Sequence, residues 1–81
     1  GLVEVARSLM GVQVAISIRQ PGTEGIFRVS TRSNCDYDVS ELCANFGGGG
    51  HKKAAGCTLS APDINAAVDQ ILAVIDFLEL S

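Results

Sequence analysis

Aromatic residues are scarce in this chain of 81 residues, which has no tryptophan, one tyrosine and three phenylalanines. Hydrophobic residues still make up 47% of it and charged residues only 19%, so its apolar side chains are mainly Ala, Val, Ile and Leu. This supply excludes disorder as the default state and favours helices packed on a sheet over an aromatic core. A chain of this length forms one small domain, or a piece of one.

Long apolar runs and metal-ligand spacings are missing as well. The chain has neither the ~18 consecutive apolar residues of a membrane span nor the pattern of a signal peptide, so we expect a cytoplasmic protein without a membrane partner. Its cysteines, Cys35, Cys43 and Cys57, lack Cys-x-x-Cys spacing and are expected to be buried, reduced thiols. With one histidine and a single Asp-x-Asp pair, Asp36 and Asp38, the chain itself is predicted to bind no metal and no cofactor.

Basic residues are few and confined to one part of the chain. The net charge of −3 argues against indiscriminate binding of duplex nucleic acid. All six bases nevertheless lie before residue 54, and the segment after it carries Asp and Glu without any base. We therefore expect a local site for an anion in the first two thirds of the chain.

Alternating apolar residues predict two strands joined as a hairpin. Residues 12–19 have a period of two, and residues 20–25 contain a proline and two glycines, which are typical of a turn. Residues 26–32 alternate again and place Arg28, Ser30 and Arg32 on one face. Residues 2–10 have no decisive period and are predicted to form a short helix or an extended segment.

Two helices and a third strand are predicted after the hairpin. Asp38-Val-Ser-Glu41 fits a capping box, and Gly47 ends the short helix that it opens. Residues 57–60 are consistent with a short buried strand, and Pro62-Asp63 opens a last helix whose apolar stripe must cover the sheet. The predicted fold class is α/β, a small mixed sheet with a β-hairpin, a glycine-rich loop and helices packed on the sheet.

Four consecutive glycines, Gly47–Gly50, precede His51 and form the most informative segment. Because a glycine run costs backbone entropy, we expect something to approach this backbone closely. The N–H groups of the glycines, together with a helical turn over residues 51–55, would form a cradle for phosphate or carboxylate. The spacing fits neither a Walker P-loop nor a dinucleotide-binding fingerprint, and a flexible linker is the alternative interpretation.

The segment Gly48-Gly-Gly-His-Lys-Lys-Ala-Ala-Gly56 closely resembles the signature of the DHHA1 domain, the C-terminal substrate-binding domain of the DHH phosphoesterases. The likeness extends over essentially the whole chain, including Ser30-Thr-Arg-Ser33 and Asp38-Val-Ser40. It implies that residues 1–81, which begin at Gly rather than Met, are one domain of a longer two-domain enzyme. The catalytic DHH domain, with its manganese, would lie N-terminal to it in the same chain.

The resemblance also implies which residues bind substrate. His51 and Arg32 are expected to contact a phosphate, and Arg28 to give a supporting contact. For Ser33 two interpretations stay open: its hydroxyl donates to that phosphate, or it serves in a cap or turn. Lys52 is expected to be solvated, as is its neighbour in the motif. The complete predicted phosphate-binding set is Arg28, Arg32, Ser33, Gly48, Gly49, Gly50 and His51, and no catalytic residue is expected in this chain.

The implied ligand is a nucleotide or short single-stranded nucleic acid: short RNA, pAp or a cyclic dinucleotide. The domain would hold it while the partner domain hydrolyses a phosphoester bond, and a homodimer is compatible with this function. Two alternatives remain open. One is a non-catalytic nucleic-acid-binding module of the alanyl-tRNA synthetase C-terminal type, and the other is a stand-alone oligomerising or ligand-sensing domain.

Overall fold

Five strands form a single sheet in the structure, a computed structural model that describes residues 2–9, 12–22, 24–34 and 37–80. The strands are β1 (Leu2–Leu9), β2 (Val12–Arg19), β3 (Ile26–Ser33), β4 (Gly49–His51) and β5 (Ala54–Ser60), and the helices are α1 (Val39–Ala44) and α2 (Ile64–Leu80). The strand order is β1-β2-β3-β5-β4. The predicted α/β class, with a hairpin and helices packed on a sheet, is confirmed.

The sheet differs from the predicted mixed sheet because each of its four strand pairs is antiparallel. Strand β4 runs in the same direction as β3, since both pair antiparallel with β5. The two-residue turn after β4 then reverses the chain, so that β5 enters the gap between them. A parallel pair would have required a longer crossover.

Strand β1 resolves the ambiguity over residues 2–9, which the sequence left between a helix and an extended segment, and residue 10 of that prediction lies outside the described residues. All eight of its residues pair with β2, from Leu2 opposite Arg19 to Leu9 opposite Val12. Half-buried Val5 packs against the core, whereas Leu2 on the other face is 58% exposed. Pairing with a neighbouring strand decided this segment, because its own pattern of apolar residues is too weak to do so.

The hydrophobic core lies between one face of the sheet and the two helices. Helix α2 contributes Ala67, Ile71 and Ile75, which are at most 1% exposed, as the predicted apolar stripe required. The strands and α1 contribute the other large core residues: Val14, Ile16, Ile18, Phe27, Val29, Val39, Leu42 and Leu59. Burial of each such side chain contributes about 1.5–3 kcal/mol to folding. Both helices therefore cover the same face, and the opposite face of the sheet stays open.

The N-terminal caps follow the sequence prediction, whereas α1 ends at Ala44 with Asn45 as its C-cap, two residues before the predicted Gly47. The Asp38 carboxylate accepts a hydrogen bond from the backbone N–H of Ser40 at 2.9 Å, and Asp63 accepts one from Ala66 at 2.8 Å. The N–H of Gly47 donates to the carbonyl of Ala44, with a positive φ of 77° that favours glycine after a helix. Neither described helix combines the length and apolar character needed to cross a membrane.

The glycine run adopts a different conformation from the predicted loop and helical turn. Gly49–His51 form the edge strand β4, and Lys52 and Lys53 make the turn that leads into β5. A Cβ on Gly48 would lie 2.6 Å from Cys57 Cβ, and one on Gly50, whose φ is +148°, would lie 2.7 Å from Ala55 Cα. The glycine backbone is therefore closely approached, as expected, but by strand β5 of the same chain.

Candidate functional site

The open face of the sheet is built from small and polar side chains. Strand periodicity sends the apolar members of β2 and β3 to the helices and leaves the alternate positions outward. The outward residues in the central strands are Ala15, Ser17 and Arg19 of β2, Arg28, Ser30 and Arg32 of β3, and Ala54, Gly56 and Thr58 of β5. Small residues in the middle of this face leave room for a ligand between longer basic side chains.

Arg32 and His51 lie in one row across this face. Arg32 of β3 is directly opposite Ala54 of β5, and His51 of β4 is directly opposite the same alanine. Two strand spacings therefore separate them, about 10 Å between Cα atoms. Both side chains are exposed, and neither has an ion pair or side-chain hydrogen bond within the described ranges. One anion above Ala54 is within reach of both.

Two backbone hydrogen bonds anchor the turn that follows His51. The carbonyl of Lys53 accepts from the N–H of Ser33 at 3.0 Å, directly after Arg32. The carbonyl of Lys52 accepts from the N–H of Val39 at 2.9 Å, at the start of α1. The turn is thus attached to the end of β3 and to α1, which holds His51 in a defined position relative to Arg32.

Arg28 lies on the same open face, as predicted, but in a different row. It is directly opposite Arg19 of β2 on one side and Thr58 of β5 on the other. Arg32 lies four positions further along β3, which corresponds to about 13 Å. The structure therefore brings Arg28 to the same face as Arg32 and His51 without bringing it to the same point.

Ser33 is not brought together with Arg32 and His51. It lies opposite Val14 on the helix-facing side, and it is 8% exposed. Because neighbouring residues of a strand point to opposite faces, Ser33 and Arg32 cannot both face the open side. The sequence motif alone did not reveal which of the two would face inward.

Two of the four backbone N–H groups of the glycine run donate to the helix that precedes it, and the other two belong to a paired strand. Gly47 donates to Ala44 and Gly48 donates to Cys43, at 3.1 and 3.0 Å. Gly49 and Gly50 lie in β4, opposite Gly56 and Ala55. Because β4 ends the sheet, only the backbone groups on its outer edge are available to a ligand, not a loop of four free N–H groups.

Charge separates between the two sides of the domain. Three arginines lie on the open face, and Lys52 and Lys53 lie in the adjacent turn. The described helices and their caps carry most of the acidic residues, including Asp63, Asp69 and Asp76, and Arg7 pairs with Asp76 across 3.3 Å. This separation creates a basic face on a protein whose net charge is −3, so anions are attracted locally.

Asp38, Cys43 and Cys57 are the described titratable groups near this region whose pKa values are clearly shifted, and the hydrogen bond from Cys57 lowers the pKa of the Cys43 thiol to about 6. The hydrogen bond from the Ser40 hydroxyl is the largest effect on Asp38 and lowers the pKa of its carboxyl group. The hydrogen bond that Cys57 donates to Cys43, together with burial, raises the pKa of the Cys57 thiol. Both cysteines are free thiols, and Cys35 and Asp36 lie outside the described residues.

No three His, Cys, Asp or Glu side chains in the described ranges cluster so that they could hold a metal ion. The open face also carries polar residues that the sequence-based site did not include, among them Arg19, Ser17, Ser30 and Thr58. The period of two in residues 12–19 places Arg19 and Ser17 on the face away from the core, and this pattern could have identified them from the sequence. The register that places Arg19 beside Arg28 is not encoded in that period.

Comparison with known proteins agrees with the motif. The family model of the DHHA1 domain matches residues 2–76. Oligoribonuclease NrnB of Bacillus subtilis (strain 168) is 54% identical over 37 residues, which cover 44% of this chain and 9% of NrnB. The bifunctional oligoribonuclease and PAP phosphatase NrnA of Thermus thermophilus is 33% identical over 73 residues, which cover 90% of this chain and 22% of NrnA. The chain thus spans at most about a fifth of these relatives, and it belongs to the DHHA1 domain family.

Proposed function

We propose that this domain binds the phosphate of a nucleotide or short single-stranded RNA for a DHH phosphoesterase that acts on oligoribonucleotides or pAp. The observation that carries the proposal is the row formed by Arg32, Ala54 and His51 on the open face. Two exposed donors flank a methyl-sized side chain and have no partner within the described ranges. The names of the relatives NrnB and NrnA support this choice of substrate.

The chemistry of the two donors suits a phosphate. The planar guanidinium of Arg32 can donate two parallel hydrogen bonds to phosphate oxygens, and its charge is permanent. The imidazole of His51 donates a further hydrogen bond and gains a positive charge when protonated. Ala54 lies between them, so a phosphate can approach the sheet without meeting a longer side chain.

The function of this domain is to position the substrate, because its residues do not fit a hydrolytic metal centre. The chain has one histidine, and its described carboxylates do not cluster with it. We assign the manganese and the hydrolytic step to a DHH domain in the same polypeptide, with the whole enzyme acting in the cytoplasm. A correctly placed substrate lowers the entropic cost of the reaction in that partner domain.

Two substitutions test the proposal in a protein that joins this domain to its DHH domain. Changing Arg32→Ala or His51→Ala should each lower kcat/KM for pAp by about ten- to a hundred-fold, since a hydrogen bond to a charged group contributes about 1.5–3 kcal/mol. Arg32→Lys should restore part of the loss, because an ammonium keeps the charge but loses the paired hydrogen bonds. Lys52→Ala, in the exposed turn, is the matched control and should act weakly and mainly at low salt.

Three results would contradict the proposal. Equal losses in all three positions would indicate a general charge effect rather than a site at Arg32 and His51. A fall in Tm for His51→Ala as large as that for a buried Ile71→Ala would assign His51 to stability. The isolated chain with manganese should release no phosphate from pAp, and hydrolysis that disappears in His51→Ala would overturn the division of labour between domains.

A further inference from the structure

Arg19 and Arg28 face each other across two neighbouring strands. They are a directly opposed pair of β2 and β3, so their Cα atoms are about 4.5–5.5 Å apart, and both are exposed on the open face. Like charges in this arrangement repel each other and destabilise a sheet. Neither arginine has an ion pair within the described ranges. The nearest outward carboxylate on the sheet, Glu4, is one row away, opposite Ser17.

A groove adjoins this pair and continues to the edge of β5. It has a volume of about 450 Å³, and its lining includes Arg19, Arg28, Ser30, Thr58, Phe46 and Gly48. Thr58 of β5 is exposed here, since β4 pairs only with residues 54–56. Phe46 is half-buried and packs against the core, so its ring is held in place at the wall of the groove.

This groove is separate from the row that contains Arg32 and His51. A second groove of about 440 Å³ contains Arg32, and the two share Ser30 as a common lining residue. Arg28 and Arg32 are about 13 Å apart along β3. The two grooves therefore lie on either side of Ser30, where two phosphates of one short nucleic acid can be placed.

We infer that Arg19 and Arg28 form a second phosphate subsite, which binds the neighbouring nucleotide of an oligoribonucleotide whose first phosphate is held by Arg32 and His51. The inference rests on the proposed function and specifies its substrate as a chain of at least two nucleotides. A phosphate between the two guanidinium groups relieves their repulsion. The Thr58 hydroxyl donates to it, and the base lies against the Phe46 ring, a contact that tolerates any base.

Binding measurements with two probes test the subsite. The chain is titrated with adenosine 5′-monophosphate and with the 5′-phosphorylated diadenylate pApA, and chemical shifts give both dissociation constants. Wild type should bind pApA about ten- to a hundred-fold more tightly than the mononucleotide, which is the range for a charge-assisted hydrogen bond. Arg19→Gln and Arg28→Gln should remove most of that difference while mononucleotide binding changes less than about twofold.

Controls separate the subsite from general effects. Arg7→Gln removes the same charge on the helix-facing side, away from the groove, and should leave the preference for pApA intact. It should also change stability little, since an exposed ion pair contributes little. Arg32→Ala should weaken both probes. The Tm of Arg19→Gln and Arg28→Gln without ligand should equal or exceed that of wild type, because each substitution removes a repulsive pair.

Three results would overturn the inference, and they are distinguishable. Equal affinity of wild type for both probes, with Arg32→Ala weakening both, would remove the second subsite and leave the proposed function standing. A loss of mononucleotide binding in Arg28→Gln as large as the loss for pApA would assign both arginines to the first phosphate. If neither probe binds, or if Arg32→Ala changes neither affinity, the proposed function and the subsite fail together.

Discussion

Substituting the glycines before His51 one at a time tests whether the run serves packing or only flexibility. Gly48→Ala would place a methyl group 2.6 Å from Cys57 Cβ and 2.8 Å from Cys57 Cα, and still closer to the Gly56 carbonyl. Backbone atoms of β5 cannot move away cheaply, so we expect the cost of overpacking, about 1–3 kcal/mol. For a domain of this size each kcal/mol lowers Tm by about 4–8 °C. Thermal and urea unfolding followed by far-ultraviolet circular dichroism measures the change.

Gly49 provides the matched control within the same run. Nothing lies within 4 Å of a Cβ at Gly49, so Gly49→Ala should change the free energy of unfolding by less than about 0.5 kcal/mol. Gly50→Ala should resemble Gly48→Ala, because its Cβ would meet Ala55 and its positive φ disfavours any side chain. Equal stability of the alanine variants at Gly48 and Gly49 would refute the packing of β4 on β5 as the reason for the run.

Two further predictions concern stability. The pKa of Asp38 is lowered in the folded protein, so its charged carboxylate stabilises the fold above the ordinary aspartate pKa, and this stabilisation is lost as pH falls through the lowered pKa. Asp38→Asn should therefore flatten the pH dependence of Tm in that acidic window. An unchanged profile would contradict the role of Asp38 as a cap. Ile71 is 1% exposed, so Ile71→Ala should lower the free energy of unfolding by about 2–5 kcal/mol, as measured by urea unfolding. A loss of less than about 1 kcal/mol would contradict the packing of α2 on the core.

Features governed by local pattern were predictable from the sequence. The period of two over residues 12–19 and 26–32 gave the hairpin, and the face shared by Arg28, Ser30 and Arg32 is confirmed. The caps at Asp38 and Asp63 lie where short polar side chains precede apolar stripes. These outcomes depend on neighbours within a few residues, so physical rules for strands and caps apply to them directly. The motif around His51 indicated the family for the same reason.

Features governed by pairing between distant segments appeared only in the tertiary structure. Residues 2–9 became a strand through pairing with β2, and Gly49–His51 became one through pairing with β5. A shift of one residue in any register would turn a whole strand over, and no local pattern states which register is formed. The amino-acid sequence by itself thus determined which residues are basic, apolar or small. The non-local registers decided that Arg32 meets His51 across Ala54, that Arg19 meets Arg28, and that Ser33 faces the core.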